Sequence, residues 1–372
     1  MTCFVHSKNT LTPYHFENEK AIFDCCQERD HVGLEYLFRL VFHLDALIPK
    51  EKEFKFIITG NLKELPEYGE NIIAVLMWDE WCRPPLYAHK VGYVLSTYGF
   101  RFDNYFSKPV FSVYNAIKLF KTTWIQYNRL RFLFNYQLKT AILPKRKRLL
   151  AIPLGYYKHE KVAFKNFTDR SIDVHFAGSI YASSEKYTNP IAKFFKALIT
   201  SPRNYARGKL VETLPKVAET HPSVKITNRC FTSFGQGLSR TEYSEELMDT
   251  KICLVPRGSS LETYRLFEAM RSGCIVVADR QPQKWVYDNL PVVFLDDWSD
   301  LENTLIPLVN DPKRMQDLHE KSLTWWSEIA SPQAAAKHIF EEMAFPNTSN
   351  RPPKTTNFGN NTTENRKIEQ IA

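Results

Sequence analysis

Residues 251–279 read KICLVPRGSSLETYRLFEAMRSGCIVVAD, and this stretch decides the fold. An apolar run from Ile252 to Val255 stops at Pro256-Arg257-Gly258, and a second apolar run, Ile275 to Ala278, begins after Gly273. The residues between the runs repeat their apolar positions at helical spacing. The order strand, turn, helix, strand is typical of a parallel βαβ unit, in which ligands bind at the turn after the first strand.

The turn carries residues that suit an anionic ligand. Ser259 and Glu262 form a capping-box pattern, which predicts a helix that begins after Ser259. The amides and the dipole at such a helix start attract anions. Arg265 would then lie about one and a half turns into the helix, where its guanidinium can reach back to a phosphate. An ordinary structural explanation also exists: Glu262 as a cap only, Arg265 paired with Glu268, and Arg257 bonded to loop carbonyls.

The composition indicates a globular protein. The chain has 372 residues, enough for two domains, with 44% hydrophobic residues and a formal net charge of +8. That charge suits an anionic ligand or membrane surface, and no nucleic-acid-binding motif accompanies it, so no nucleic-acid partner is expected.

The cysteines and the lengths of the apolar runs indicate the cellular compartment of the protein. The seven cysteines are odd in number and show no metal-ligand spacing, which predicts free thiols in a reducing environment. Because the N-terminus resembles no secretory signal and no run of about 18 apolar residues occurs, we expect a cytoplasmic protein.

The pattern of apolar runs predicts an α/β fold with two domains, residues 1–152 and 153–345. Residues 346–372 are rich in Asn, Thr and Pro and predict a disordered tail. Strands are predicted at 54–59, 72–78, 149–153, 173–178 and 292–295, and helices at 33–47, 190–200, 300–309, 312–328 and 333–343.

The stretch from Tyr243 to Asp279 resembles the donor-binding half of exostosin-like glycosyltransferases. That family shows a tyrosine, a strand, Pro-Arg-Gly, an arginine-containing helix and then a Gly-Cys or Gly-Ala strand. Weaker matches flank this stretch in the right order: Asn104-Tyr105-Phe106, Pro153-Leu154-Gly155-Tyr156, Phe176-Ala177-Gly178-Ser179, and Pro291-Val292 leading to Asp296-Asp297-Trp298.

The resemblance implies a GT-B architecture, in which two Rossmann-like domains face each other across a cleft. It implies a hexosyl- or pentosyltransferase that moves a sugar from a nucleotide-sugar to a glycan or lipid-linked saccharide, as in polysaccharide biosynthesis. Inversion at the transferred carbon and no bound metal or other cofactor are further expectations. A retaining mechanism based on two glutamates eight positions apart is not supported, because Ser260 stands eight positions before Glu268.

The resemblance also assigns roles to donor-binding residues. Arg257, Arg265 and the amides around Ser259 and Ser260 would stabilise the departing nucleoside diphosphate. Glu268 would bind the ribose hydroxyls, and Gly178-Ser179 would let the backbone approach the diphosphate. The full expected donor set is Gly178, Ser179, Arg257, Gly258, Ser259, Ser260, Thr263, Arg265 and Glu268.

An inverting transfer needs a base for the acceptor hydroxyl. Asp79 and Glu80 directly follow a predicted strand and are the candidates, although they can equally be turn acids with Arg83 as partner. His89 is a weaker candidate for the base. Asp296 and Asp297 are candidates for lining the cleft, and a turn at the end of a strand explains them equally well.

Two further questions stay open. The basic run 145–148, with aromatic residues between 124 and 138, is either a solvated turn or a peripheral contact with anionic lipid. The alternatives to the leading function are a non-catalytic binder of nucleotides or anionic saccharides, and a fucosyltransferase-like GT-B enzyme with a guanosine donor.

Overall fold

The computed structural model describes residues 1–7, 10–28, 33–80, 82–100, 123, 127, 148–157, 160–180, 202–231 and 237–343. The first of its two sheets contains six strands in the order β2-β1-β3-β4-β5-β6. Strand β2 is an antiparallel edge strand, and the others run parallel. The strands are β1 (Thr2–Ser7), β2 (Thr10–His15), β3 (Lys55–Thr59), β4 (Gly69–Leu76), β5 (Val91–Ser96) and β6 (Leu149–Ala151).

The second sheet contains five parallel strands in the order β11-β10-β9-β7-β8. Its strand order reverses at β7, which pairs with β8 on one side and β9 on the other, and such switch points hold ligands in open α/β sheets. The strands are β7 (Ile172–Ser179), β8 (Ile226–Phe231), β9 (Thr250–Val255), β10 (Ile275–Ala278) and β11 (Val293–Phe294).

The helices of the described residues are α1 (Glu19–Glu28), α2 (Glu35–Leu47), α3 (Pro202–Thr220), α4 (Arg240–Met248), α5 (Tyr264–Arg271), α6 (Leu301–Val309), α7 (Pro312–Trp325) and α8 (Pro332–Glu342). The last helix packs against α2, in the N-terminal half of the chain. The buried Tyr36 of α2 donates a hydrogen bond to the Ala330 carbonyl at 2.7 Å. The two Rossmann-like halves are thereby joined, as the predicted α/β GT-B architecture requires.

The βαβ unit of residues 250–278 is confirmed. Strands β9 and β10 are almost fully buried and pair in parallel, and α5 turns Leu266, Phe267 and Met270 into the core beside them. The helix ends as Gly273 predicts, with φ of +70° and a Schellman pattern in which Cys274 N–H bonds the Ala269 carbonyl.

The predicted start of this helix is wrong. Helix α5 begins at Tyr264, its N-cap is Thr263, and the Ser259–Glu262 capping box does not form. Glu262 turns inward because Lys284 and Tyr287 bind its carboxylate, so the chain between 256 and 263 stays irregular. Arg265 therefore lies in the first turn, closer to the helix start than predicted.

Other differences have local causes. The N-terminal hairpin and α3 escape prediction because their sequences show weak periodicity, and α3 contains Pro215. The expected helix over 190–200 and the tail over 346–372 lie outside the described residues.

All seven cysteines are described and are free thiols, as predicted; the reducing compartment remains a prediction. In the described part of the chain, no helix is long and apolar enough to cross a membrane.

Candidate functional site

A cavity of about 520 Å3 lies where the carboxyl ends of strands from both sheets meet. Trp78 and Glu80 follow β4 and Tyr98 follows β5, whereas the remaining wall comes from the second half of the chain. That wall includes the ends of β7 and β8, the turn after β9 and the start of α5. The lining residues include Tyr157, Ala177, Gly178, Ser179, Arg203, Arg207, Phe231, Leu238, Tyr243, Gly258, Ser259, Glu262, Thr263, Tyr264, Arg265 and Glu268.

Three arginines from two helices converge on one wall of this cavity. Arg203 and Arg207 come from the first turns of α3, and Arg265 comes from the first turn of α5. Arg203 donates a hydrogen bond to the Ser179 hydroxyl at 2.7 Å, and Arg207 donates one to the Ser179 carbonyl at 2.5 Å. Ser179 thus anchors the α3 arginines at the end of β7.

Burial and mutual repulsion act on these guanidinium groups. Burial lowers the pKa of Arg207 to about 9, and repulsion from Arg265 and Arg203 adds to the lowering. Burial also lowers the pKa of Arg203, an effect that attraction to Glu80 opposes and repulsion from Arg265 increases. Guanidinium groups carry a positive charge at neutral pH, so the cavity wall carries concentrated positive charge.

Several polar atoms of this wall lack a hydrogen-bond partner among the described residues. They are Nε and Nη1 of Arg265, Nε of Arg203 and Oγ1 of Thr263, all of which are buried atoms. A buried donor without a partner is costly, and a ligand with acceptor oxygens removes that cost. The unpaired donors therefore indicate an anionic ligand at the N-terminus of α5.

The absence of a side chain at Gly178 makes room for the Arg265 guanidinium. A Cβ atom at this position would lie 2.5 Å from Nη2 of Arg265, so only glycine permits the observed approach. The Arg265 guanidinium also lies 5.2 Å from the centroid of the Phe176 ring, a cation–π contact that holds the side chain against β7.

Glu268 lies buried at the cavity wall with two hydrogen bonds. Its Oε1 accepts from Tyr157 N–H at 3.0 Å, and its Oε2 accepts from the Tyr243 hydroxyl at 2.9 Å. Burial, with the charge of Glu268 as a smaller contribution, raises the pKa of Tyr243 well above its ordinary value. Tyr243 therefore stays a donor at neutral pH and orients the carboxylate at the cavity wall.

The remaining predicted donor residues divide into two groups. Gly258, Ser259 and Thr263 line the cavity, whereas Arg257 and Ser260 do not. The Arg257 amide donates to Asp279 at 2.8 Å, so its backbone fixes the turn.

The structure separates the two candidate bases. Glu80 lines the cavity, but Asp79 does not, because Arg83 binds both of its carboxylate oxygens. The side chain of Asp79 is only 3% exposed, and its contacts with Arg83 close the turn that presents Glu80. These contacts agree with the alternative explanation of Asp79 as a turn acid, and a base role for Asp79 stays a prediction.

The weaker candidates lie outside the cavity lining. His89 lies in a short helical turn, Asp296 pairs with the exposed Arg280, and Asp297 accepts a hydrogen bond from the Ser299 amide. The possible lipid-binding stretch lies outside the described residues except for Tyr127 and Arg148, and Arg148 pairs with Glu70.

Sequence reasoning missed Arg203 and Arg207. A usable signal was present, since two arginines four positions apart lie on one face of a helix. That face lies at the cavity because the first turns of α3 contact Ser179 at the end of β7. In the part of the chain that the structure describes, no three metal-ligating side chains come together, and metal independence remains a prediction.

Comparisons with known proteins agree with the motif. Residues 156–333 match the family described as RXYLT1 C-terminal domain. A curated Exostosin-1 homolog of Caenorhabditis elegans is 40% identical over 62 residues, which is 16% of this chain and 14% of that protein. The chain thus matches about one seventh of the length of this relative.

Solved structures are similar only at a low level. The GtfA/B complex has a TM-score of 0.39 and 10% identity, over 83% of this chain and 60% of that one. An alpha1,3-fucosyltransferase has a TM-score of 0.35 and 12% identity, over 82% of each chain. With TM-scores below 0.5, these likenesses add nothing to the topology described above.

The family match covers most of the site. Every cavity residue from Tyr157 to Glu268 falls within residues 156–333, as does the Tyr243–Asp279 motif. The order of the motifs and the parallel topology agree with these matches, which support the resemblance to exostosin-like proteins over part of the chain.

Proposed function

We propose that this protein is a glycosyltransferase that uses a nucleotide-sugar donor and a saccharide acceptor, with inversion and without a bound metal. The observation that carries the proposal is the pair of arginines with unpaired donors, Arg265 and Arg203, which line the same cavity as Glu80. The acceptor is a glycan or a lipid-linked saccharide.

The arginine wall suits a departing nucleoside diphosphate. In the transfer, the acceptor oxygen bonds to the anomeric carbon while the bond from that carbon to the diphosphate oxygen breaks. The electron pair of that bond leaves with the diphosphate, and its growing negative charge is stabilised by Arg265 and Arg203 together with the first amides of α5. These fixed donors supply the charge stabilisation that a metal ion supplies elsewhere.

Glu268 is proposed to bind the ribose of the donor. Its carboxylate is held by Tyr243 and by the Tyr157 amide, so it is oriented before the donor binds. A hydroxyl pair of the ribose can donate to the oxygens of this carboxylate, which would place the nucleotide between Glu268 and the arginine wall.

Glu80 is proposed as the base. It lies on the side of the cavity formed by the first half of the chain and interacts electrostatically with Arg203. That position allows a carboxylate oxygen to take the proton of an acceptor hydroxyl as the hydroxyl oxygen bonds to the anomeric carbon.

A thermal-shift experiment tests donor binding. UDP, GDP, CDP and ADP are compared with and without EDTA, and a ligand at about 100 times its dissociation constant should add roughly 2.7 kcal/mol of stability. Arg265→Ala should lower the affinity for the stabilising nucleotide by about 10- to 100-fold, because charge-assisted hydrogen bonds are lost. Arg280→Ala is the matched control, since Arg280 is exposed and pairs with Asp296. Absence of stabilisation by all four nucleotides would overturn the proposal.

A turnover experiment tests the base. Release of nucleoside diphosphate from the matching nucleotide-sugar is measured with p-nitrophenyl glycosides as acceptors. Glu80→Gln should lower the rate by about 10²- to 10⁴-fold and retain the thermal shift by the nucleotide. If the wild-type protein binds the nucleotide but forms no nucleoside diphosphate from the nucleotide-sugar, it is instead the non-catalytic binder.

A further inference from the structure

Trp78 occupies an unusual position for a large apolar residue. Its side chain is 60% exposed, and it lines the cavity two residues before Glu80. Its backbone has φ of +67°, a left-handed conformation that is unfavourable for a residue with a Cβ atom. Strained backbone of this kind persists where the surrounding structure imposes it, and it is concentrated at ligand sites.

The surroundings hold the indole ring in place. Gly60 follows β3, and a Cβ atom there would lie 3.3 Å from Cε3 of Trp78, so the absence of a side chain at Gly60 makes room for the ring. Tyr264, whose ring packs on Tyr157 with centroids 5.3 Å apart, lines the same cavity at the start of α5.

The turn after Trp78 is fixed by polar contacts. Arg83 donates from its backbone amide to Asp79 at 2.5 Å and from its side chain at 2.9 and 2.7 Å. Cys82, also at positive φ, donates from its thiol to the Tyr98 carbonyl at 3.2 Å. This turn presents an apolar ring and an acid, Glu80, side by side at the same cavity.

A sugar ring matches that pair of groups. A pyranose has one face of C–H bonds, which is attracted to an aromatic ring, and a rim of hydroxyl groups, which need a polar partner. We propose that Trp78 stacks on the terminal pyranose ring of the acceptor and directs one of its hydroxyl groups to Glu80. This inference rests on the proposed function and makes Trp78 the residue that selects a saccharide acceptor.

The test measures sugar binding directly. Methyl β-D-glucopyranoside, methyl β-D-galactopyranoside and methyl β-D-xylopyranoside are used as probes in saturation-transfer NMR, with glycerol as a polyol without a ring. Measurements are made with and without the nucleotide that gives the largest thermal shift. We expect at least one pyranoside to bind, with the strongest transfer to the C–H protons of one face, and no binding of glycerol.

Three variants separate stacking from stability. Trp78→Ala should raise the dissociation constant of the pyranoside about tenfold, or about 1.4 kcal/mol. Trp78→Gly should lose the same affinity but melt at a higher temperature than Trp78→Ala, because glycine accepts the left-handed backbone. Phe294→Ala is the control, since Phe294 is 43% exposed and lies outside the cavity lining.

The failures of the two proposals are distinguishable. Equal pyranoside affinity in wild type and Trp78→Ala would overturn the stacking role, as would absence of pyranoside binding to the wild type. Either result leaves the donor site intact if the nucleotide shift and its loss in Arg265→Ala are observed. Absence of the nucleotide shift would overturn the proposed function, whereas Trp78-dependent binding of a pyranoside would still support a saccharide site.

Discussion

Replacing Lys284 by methionine should strongly destabilise this protein. The Lys284 ammonium donates to Oε1 of Glu262 at 2.8 Å and to the Thr97 carbonyl at 2.7 Å. The side chains of Lys284 and Glu262 are only 5% and 2% exposed. Because Thr97 follows a strand of the first sheet and Glu262 follows a strand of the second, this ammonium joins the two halves of the chain.

The magnitude follows from burial. Methionine keeps the length of lysine but leaves the Glu262 carboxylate buried with the Tyr287 hydroxyl, which donates to it at 2.7 Å. Removal of one partner from a buried ion pair costs about 3–5 kcal/mol. Whole-protein stabilities are about 5–15 kcal/mol, so the loss is a large fraction of the total. The exposed pair of Lys321 and Asp317 gives the control, for which Lys321→Met should cost about 0.5 kcal/mol.

Urea-induced unfolding of both variants, followed by circular dichroism at pH 7, measures this difference. The double variant Lys284→Met/Glu262→Gln removes the unpaired charge and should recover part of the lost stability. If Lys284→Met is no more destabilising than Lys321→Met, the joint between the halves is not formed as described, and the reasoning from burial fails.

Two further perturbations test the site and its support. Gly178→Ala should lower the melting temperature only slightly, because its Cβ meets the far end of the flexible Arg265 side chain at 2.5 Å and Cζ of Phe176 at 3.3 Å, but it should weaken nucleoside diphosphate binding about tenfold or more. Gly208→Ala is its control, since Gly208 lies outside the cavity lining and no atom lies within 4 Å of its added Cβ, and equal affinity losses in both variants would contradict the assigned approach of Arg265. Burial lowers the pKa of His319, so below about pH 6.5 the unfolded chain binds protons more readily and stability should fall. His319→Gln can keep the bond to the Gly273 carbonyl and should show a smaller loss of melting temperature between about pH 6.5 and pH 5; equal losses would contradict this.

Local patterns in the sequence predicted the elements that depend on neighbouring residues. Apolar runs predicted β9 and β10, and Gly273 predicted the end of α5, because a left-handed residue at that point suits glycine. The motif also predicted Arg265 and Glu268, and the flanking match Phe176–Ser179 predicted Gly178; all three residues line the cavity. Arg265 and Glu268 are recognisable because their spacing along one βαβ unit is short and regular.

Tertiary structure alone decided the rest. Glu262 fits a helix cap by spacing, but Lys284, distant in sequence, binds its carboxylate and moves the helix start to Tyr264. Asp79 and Glu80 are adjacent acids with equal claims by sequence, and only their surroundings separate the partner of Arg83 from the cavity residue.

The arginine wall shows the same limit. Arg203 and Arg207 acquire a role only when α3 returns to the end of β7, where Ser179 anchors them beside Arg265. Sequence by itself determined the α/β class and the βαβ unit, because those follow from periodicity and turn chemistry within some 30 residues. The choice among charged residues belonged to tertiary structure, because burial and pairing depend on groups that are distant in the chain.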